Sequence, residues 1–202
     1  MRQFMKVSVP TSEYAQVKQV GNRYLVRLEP VEAEDGMTGC YECMSETEPD
    51  IAAITEELQA WKQYLASVEL RIAKQEKLRQ IDEYDRSPAV NSFAILSGGV
   101  KIADYWLDRD LRSSLEGDVL AASAVGSTYK FDIREKGVSL TLDCNKFLEA
   151  LGRLRRYAYG AYNRTSEHIA AVNALVTVAE VEAYDFTTGY PERLSFDVAE
   201  MQ

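Results

Sequence analysis

The sequence predicts an α+β protein in which an N-terminal small antiparallel β meander, a long central coiled-coil-like helix and a C-terminal α+β domain of hairpins and helices follow one another. Three observations support this. Short strand-like segments separated by turns fill the start of the chain, an unbroken helical apolar repeat follows, and strand pairs then alternate with helical segments. The predicted domains are 1–48, the β meander; 49–85, the amphipathic helix; and 86–202, the α+β domain.

The N-terminal meander is predicted from its turns. Two apolar-patterned segments, 14–20 and 23–28, flank the dipeptide Gly21-Asn22, which is a typical hairpin turn. A second reversal at 34–36 leads to a third strand over 39–44. A meander of this size is marginal alone, so we expect it to pack on a neighbour, either the following helix or other copies of the chain.

The central helix is predicted from apolar residues spaced alternately three and four apart, a seven-residue repeat that lasts until Gln75. Pro49 breaks the chain before it, and Asp50 supplies an N-cap carboxylate. We interpret the repeat as the seam through which copies of the chain associate. The predicted oligomerisation residues are Ile51, Ile54, Leu58, Trp61, Leu65, Val68 and Ile72.

The alternative is that this helix packs within its own chain, which also places apolar residues on one face. Tyr64, Leu78 and Ile81 widen the stripe and favour that alternative, and Trp61 is bulky for a two-stranded seam. Because isoleucine and leucine share the first position of the repeat, a homotrimer is favoured over a dimer if the helix does associate.

The C-terminal domain is predicted to alternate hairpins and helices. The helix over 108–122 should begin at Asp108, and a longer one should begin at Asp143 or Asn145 and close at Asn163. A further helix should follow it from Thr165. The remaining predicted elements are a hairpin over 91–106, a hairpin over 129–142 with its turn at 135–137, a short capped helix over 177–184 and a last extended segment before 196.

Composition argues against two classes of partner. The chain carries 32 acids against 23 bases, a net charge of −9, whereas phosphate binding needs a basic face, so we expect no nucleic-acid partner. No apolar stretch approaches the roughly 20 residues that cross a bilayer, and the N-terminus has too short an apolar core for a secretory signal. We therefore expect synthesis in a cytoplasm and no membrane insertion.

The residues that could carry chemistry do not form a recognisable site. Cys40 and Cys43 have the spacing of zinc and redox pairs, but they lie in a predicted strand, and the other suitable ligands, Cys144 and His168, are about a hundred residues away. We interpret both cysteines as ordinary strand residues and the single histidine as a surface or partly buried helix residue. We expect no metal, no cofactor and no enzymatic activity.

Arginine and tyrosine are concentrated along one predicted helix, between residues 153 and 164. Such a mixture can bind single-stranded nucleic acid, but it is also typical of protein–protein interfaces, which the acidic chain favours. The candidate partner contacts are Arg153, Arg156, Tyr157, Tyr159 and Tyr162. The charges near Asp108, Arg109 and Arg112 are interpreted as a helix start with local ion pairs.

The C-terminal domain resembles a family of phage and prophage domains of unknown function, found often at the ends of tail-fibre or tail-associated proteins, including those of prophages in gut anaerobes. The resemblance covers Asp85 to Phe196, about half of the chain. It is diffuse and brings no catalytic residues. The segments that carry it are Ala89–Phe93, Trp106–Arg109, Leu140–Leu142, Tyr157–Asn163, Glu167–Val172 and Tyr184–Phe196.

The resemblance implies a virion protein associated with a phage tail. Its partners would be further copies of itself and either other tail or capsid proteins or a host-surface ligand. An assembly chaperone that holds a fibre protein and is absent from the finished particle is the alternative. An enzyme that cleaves host glycans through Asp108 and Asp110 is a third possibility, although nothing places these carboxylates on either side of a bond.

Overall fold

The computed structural model describes residues 2–133 and 137–202, and over these residues the protein is a mixed α+β structure with mostly antiparallel sheets and four α-helices. The predicted α+β class is thereby confirmed. The chain forms two compact units, Met1–Arg71 and Ile72–Gln202. The predicted domains have other boundaries, because they treat the long helix as a domain of its own, whereas its residues are divided between the two units. The predicted domains therefore stay a prediction.

The N-terminal unit contains a four-stranded antiparallel sheet in the order β1-β4-β3-β2. The predicted hairpin and third strand are present, and Gly21 adopts the positive φ of 63° that its turn requires. One strand, β1, was not predicted individually, and it pairs with β4 at the edge of the sheet. The strands are β1 (Met5–Pro10), β2 (Val17–Val20), β3 (Arg23–Glu32) and β4 (Met37–Ser45).

One face of this sheet is covered by the first turns of the long helix α1 (Ile51–Arg86), which has 36 residues. Pairing of β3 with β4 slips after Leu28, and Glu29 takes a positive φ of 52° there. The Glu29 carboxylate accepts a hydrogen bond from Gln59 Nε2 at 2.6 Å and pairs with Lys62, both on α1. The irregular backbone at Glu29 is therefore used to attach the sheet to the helix.

The predicted N-cap of α1 is confirmed, since Asp50 Oδ1 accepts hydrogen bonds from the backbone N–H groups of Ala52 and Ala53 at 3.0 and 3.2 Å. We expect Asp50→Ala to lower the free energy of unfolding of the N-terminal unit by about 0.5–2 kcal/mol, because two N–H groups lose this acceptor. Urea titration followed by circular dichroism measures the change. Glu48→Ala, an exposed acid two residues earlier, is the control and should stay near the wild-type value.

The C-terminal unit contains the end of α1, two small sheets and three further helices. In the first sheet, β5 lies between β6, which is antiparallel, and β9, which is parallel; β7 and β8 form an antiparallel pair. The elements are β5 (Phe93–Ser97), β6 (Val100–Tyr105), α2 (Arg109–Ser123), β7 (Thr128–Ile133), β8 (Val138–Asp143), α3 (Cys144–Ala174), α4 (Val178–Ala183) and β9 (Ser195–Asp197).

Three predicted helix starts are confirmed by their caps. Asp108 accepts from the Leu111 N–H, Asp143 accepts from the Lys146 N–H, and Thr177 forms a capping box with Glu180. The turn predicted at 135–137 falls largely on residues outside the described part of the chain, which resumes at 137.

The predicted break at Asn163 is wrong, because α3 continues without interruption to Ala174. Its buried stripe runs on through Ala161, Thr165, His168 and Val172, spaced four, three and four residues apart. Thr165 does not cap a new helix. Its hydroxyl donates to Asp85 Oδ1 at 2.6 Å, a side-chain bond that leaves the backbone of α3 helical.

The first part of the buried stripe of α3, from Cys144 to Tyr157, packs against both small sheets and α2 in a single apolar core. On α2 the core-facing residues are Leu115 and Val119, whereas Leu111 is exposed. Within the described residues, no helix combines the length and apolar character required to cross a lipid bilayer.

Candidate interaction surfaces

The first half of the predicted oligomerisation seam is occupied by the chain itself. Ile54 and Leu58 are buried in the core of the N-terminal unit, and Ile51 and Trp61 pack against that core. The prediction that Ile54 and Leu58 contact other copies is therefore corrected, whereas Ile51 and Trp61 are only partly buried and their contact with other copies stays a prediction. The apolar face of a small sheet must be covered, and the helix that follows β4 covers it.

The second half of the seam remains on the surface of the single chain. Leu65 is 36 % exposed, Ile72 is 58 % exposed and Val68 is half-buried. Tyr64, next to the seam, is 59 % exposed. The seven-residue repeat thus extends beyond the residues that the sheet covers, and this exposed segment of α1 (Tyr64, Leu65, Val68 and Ile72) is the first candidate surface.

The five candidate contacts on α3 do not form one surface. Tyr157 is buried, its hydroxyl donates to the Val90 carbonyl at 2.7 Å, and its ring lies 6.2 Å from that of Trp106. Tyr157 therefore belongs to the core and its assignment as a partner contact is corrected. The Arg153 guanidinium lies over the Phe196 ring at 5.0 Å, and Arg156 is exposed on the same helix.

Tyr159 and Tyr162, by contrast, are both about two-thirds exposed and line a cleft of about 690 Å³ in the C-terminal unit. The opposite side of the cleft is formed by Trp106 and the first turn of α2, with Arg109 and Arg112. This arginine–tyrosine cleft is the second candidate surface. Its remaining lining residues are Asp85, Asn91, Asp108, Ser113, Arg155, Ala158 and Ala161.

Three guanidinium groups converge on the cleft. Arg112 donates to the Leu107 carbonyl and stacks over the Trp106 ring at 5.2 Å. Burial lowers the pKa of Arg112, Asp108 opposes this shift, and the positive charges of Arg155 and Arg109 add to the lowering. An arginine stays protonated under all ordinary conditions, so all three guanidinium groups carry a positive charge, and that of Arg155 is paired with the Glu116 carboxylate.

Sequence reasoning identified only part of this cleft. The sequence predicts partner contacts at Tyr159 and Tyr162, but Arg155 is not among the five predicted contacts, and the charges of Arg109 and Arg112 are interpreted as local ion pairs. The available signal was the spacing of Arg155, Tyr159 and Tyr162, which puts them on one helix face. Nothing in the sequence showed that the start of α2 would lie opposite that face.

The three cysteines are free thiols, and all are buried. Burial raises the pKa of Cys40 and Cys43, which disfavours the reactive thiolate. No group of three or more metal-ligating side chains is positioned to hold an ion anywhere in residues 2–133 and 137–202.

His168 is only 1 % exposed, so the expectation of a surface or partly buried residue is corrected. Its Nε2 lies 3.0 Å from the Thr188 carbonyl and its Nδ1 lies 2.8 Å from the Tyr184 hydroxyl. A carbonyl can only accept, so Nε2 carries the proton and Nδ1 of the neutral ring accepts from Tyr184. Both nitrogens are thus used to join α3 to the segment after α4.

Comparison with known proteins gives no match to a family model, to a curated protein or to a solved structure.

Proposed function

We propose that the chain is a non-enzymatic structural protein of a phage or prophage tail. Copies associate through the exposed segment of α1, and the C-terminal unit docks to other virion components or to a host-surface ligand. The resemblance of residues 85–196 to phage tail-associated domains supports the assignment to a phage tail. The observation that carries the self-association is the apolar repeat that continues, exposed, beyond the residues covered by the sheet.

The chemistry of the exposed segment fits a neighbouring copy. Leu65, Val68 and Ile72 keep the three-four spacing with which helices pack side by side. Glu69 and Arg71 flank the stripe on opposite sides with opposite charges, which suits pairing between identical helices. A trimer remains the favoured assembly, because leucine and isoleucine at the first position of the repeat are typical of more than two strands.

The proposal predicts that Leu65→Asp combined with Ile72→Asp converts the oligomer to a single chain of 22.8 kDa. Two carboxylates would then have to be buried between helices, and the free energy needed to desolvate these charges exceeds the stabilisation that the apolar contact provides. Light scattering coupled to size-exclusion chromatography measures the mass, and circular dichroism should show the helicity of the wild type, since both side chains are exposed in the single chain.

Gln63→Asp combined with Ala66→Asp is the matched control, because it adds the same charge at exposed positions outside the repeat. This control should keep the oligomeric mass. A wild-type chain that runs at 22.8 kDa at all concentrations would refute self-association.

Whether the chain is a component of the phage tail is tested separately, by mass spectrometry of purified phage particles. Detection of the chain at a fixed ratio to known tail proteins supports a virion component. Its presence in infected cells together with its absence from finished particles would instead identify an assembly chaperone.

A further inference from the structure

The arginine–tyrosine cleft carries chemistry that self-association of α1 does not use. All its lining residues belong to the C-terminal unit, and its volume of about 690 Å³ is in the range of small-ligand sites. The rings of Tyr159 and Tyr162 are mostly exposed although they are large and partly apolar. Exposed aromatic rings beside a concave surface offer flat faces on which a ligand can stack.

The cleft also presents unused donors for an anion. Arg109 is exposed, and no carboxylate in the described part of the chain pairs with it. Arg112 is held against Trp106 and donates one N–H to the Leu107 carbonyl. The guanidinium has five N–H donors, so others remain available for a ligand. A guanidinium fixed in this way recognises a planar carboxylate or a phosphate in preference to a neutral group.

The remaining polar groups indicate what else the ligand carries. Asp85, Asn91, Asp108 and Ser113 line the same cleft. Carboxylates and amide oxygens accept hydrogen bonds from hydroxyl groups, but they repel a chain of phosphates. The mixture of guanidinium groups, acceptors and aromatic faces is therefore suited to a molecule with many hydroxyls, a flat apolar face and one negative charge.

We propose that the cleft binds an acidic saccharide, with its pyranose ring against Tyr159 and Tyr162 and its anionic group on Arg109 and Arg112. The anion is a carboxylate, as in a sialic or uronic acid, or a phosphate ester on a sugar. The cleft lies within one chain, so the binding is independent of self-association through α1. A chain that proved monomeric would still bind.

Ligand-observed NMR on the full chain tests the proposal with matched pairs. Methyl glucuronide is compared with methyl glucoside, and glucose 6-phosphate with glucose, so that only the anionic group differs within a pair. We expect at least one acidic sugar to bind at millimolar concentrations or below and its neutral partner to bind about tenfold more weakly or not at all. The pair that responds identifies the anion as carboxylate or phosphate.

Variants then locate the site. Arg109→Gln and Tyr159→Ala change exposed side chains, so the fold should be retained, and each should weaken binding by about tenfold. Arg156→Gln removes an exposed arginine of the same helix that does not line the cleft and should leave binding unchanged.

The following results would overturn the proposal. They are the absence of binding by both acidic sugars, equal binding of acidic and neutral partners, and equal weakening by Arg156→Gln and Arg109→Gln. Tighter binding of a single-stranded oligonucleotide through the same residues would also overturn it, in favour of a nucleic-acid groove.

Discussion

Leu58→Ala is expected to lower the free energy of unfolding of the N-terminal unit by about 2–5 kcal/mol. Leu58 has no exposed surface and lies in a small core with Ile54, Val26 and Phe4. A core of this size cannot close easily around a cavity, so the loss of three carbon atoms removes both burial and packing. The effect is a large part of the stability of a unit this small.

The chain provides a reporter for this measurement. Its two tryptophans lie in different units, Trp61 beside the N-terminal core and Trp106 in the C-terminal unit. In a Trp106→Phe background, urea unfolding followed by Trp61 fluorescence reports the N-terminal unit alone.

Leu65→Ala is the control, since it makes the same change one heptad later, at a side chain that is 36 % exposed. It should cost less than about 1 kcal/mol when wild type and variant are compared at concentrations low enough to keep the chain single. Equal effects at Leu58 and Leu65 would contradict the assignment of the first half of the repeat to the intramolecular core.

This pair of leucines shows how far the sequence could predict the role of α1. The cap at Asp50 and the spacing of apolar residues were enough to predict a long helix. They could not separate a coiled coil from a helix packed on a sheet, because both require residues three and four apart. The distinction depended on whether the preceding strands needed a cover, which is a property of the folded unit and not of the helix.

Polar residues along α3 explain why the sequence predicts a break at Asn163 that the structure does not contain. Asn163, Thr165 and Ser166 resemble the end of one helix and the start of another. Thr165 and His168 are nevertheless buried, because hydrogen bonds to Asp85, Tyr184 and the Thr188 carbonyl satisfy them. Partners so far away in the sequence cannot be predicted from local pattern, and the same is true of the two sides of the arginine–tyrosine cleft.

Replacement of His168 by leucine is expected to lower the free energy of unfolding of the C-terminal unit by about 2–4 kcal/mol near neutral pH. Leucine has a similar volume but can neither donate to the Thr188 carbonyl nor accept from the Tyr184 hydroxyl. These groups would lose their partner in a site from which water is excluded. Urea unfolding followed by Trp106 fluorescence, in a Trp61→Phe background, measures the change.

The cost of His168→Leu should depend on pH in a definite direction. Burial lowers the pKa of His168 below its ordinary value of 6.5; the Thr188 carbonyl opposes this shift, Arg164 adds to it, and Glu167 and Asp185 oppose it. Below pH 6.5 His168 therefore binds a proton in the unfolded chain but not in the folded chain. The wild type consequently loses stability as the pH falls towards the lowered pKa.

The leucine variant has no such proton, so its deficit relative to the wild type should shrink as the pH falls, at a rate of at most about 1.4 kcal/mol per pH unit. Most carboxylates titrate alike in both proteins, and their contribution cancels in the difference. A deficit that stayed constant or grew as the pH fell would mean that His168 is readily protonated in the folded chain. Its two hydrogen bonds would then not hold it as the neutral ring that joins α3 to the segment after α4.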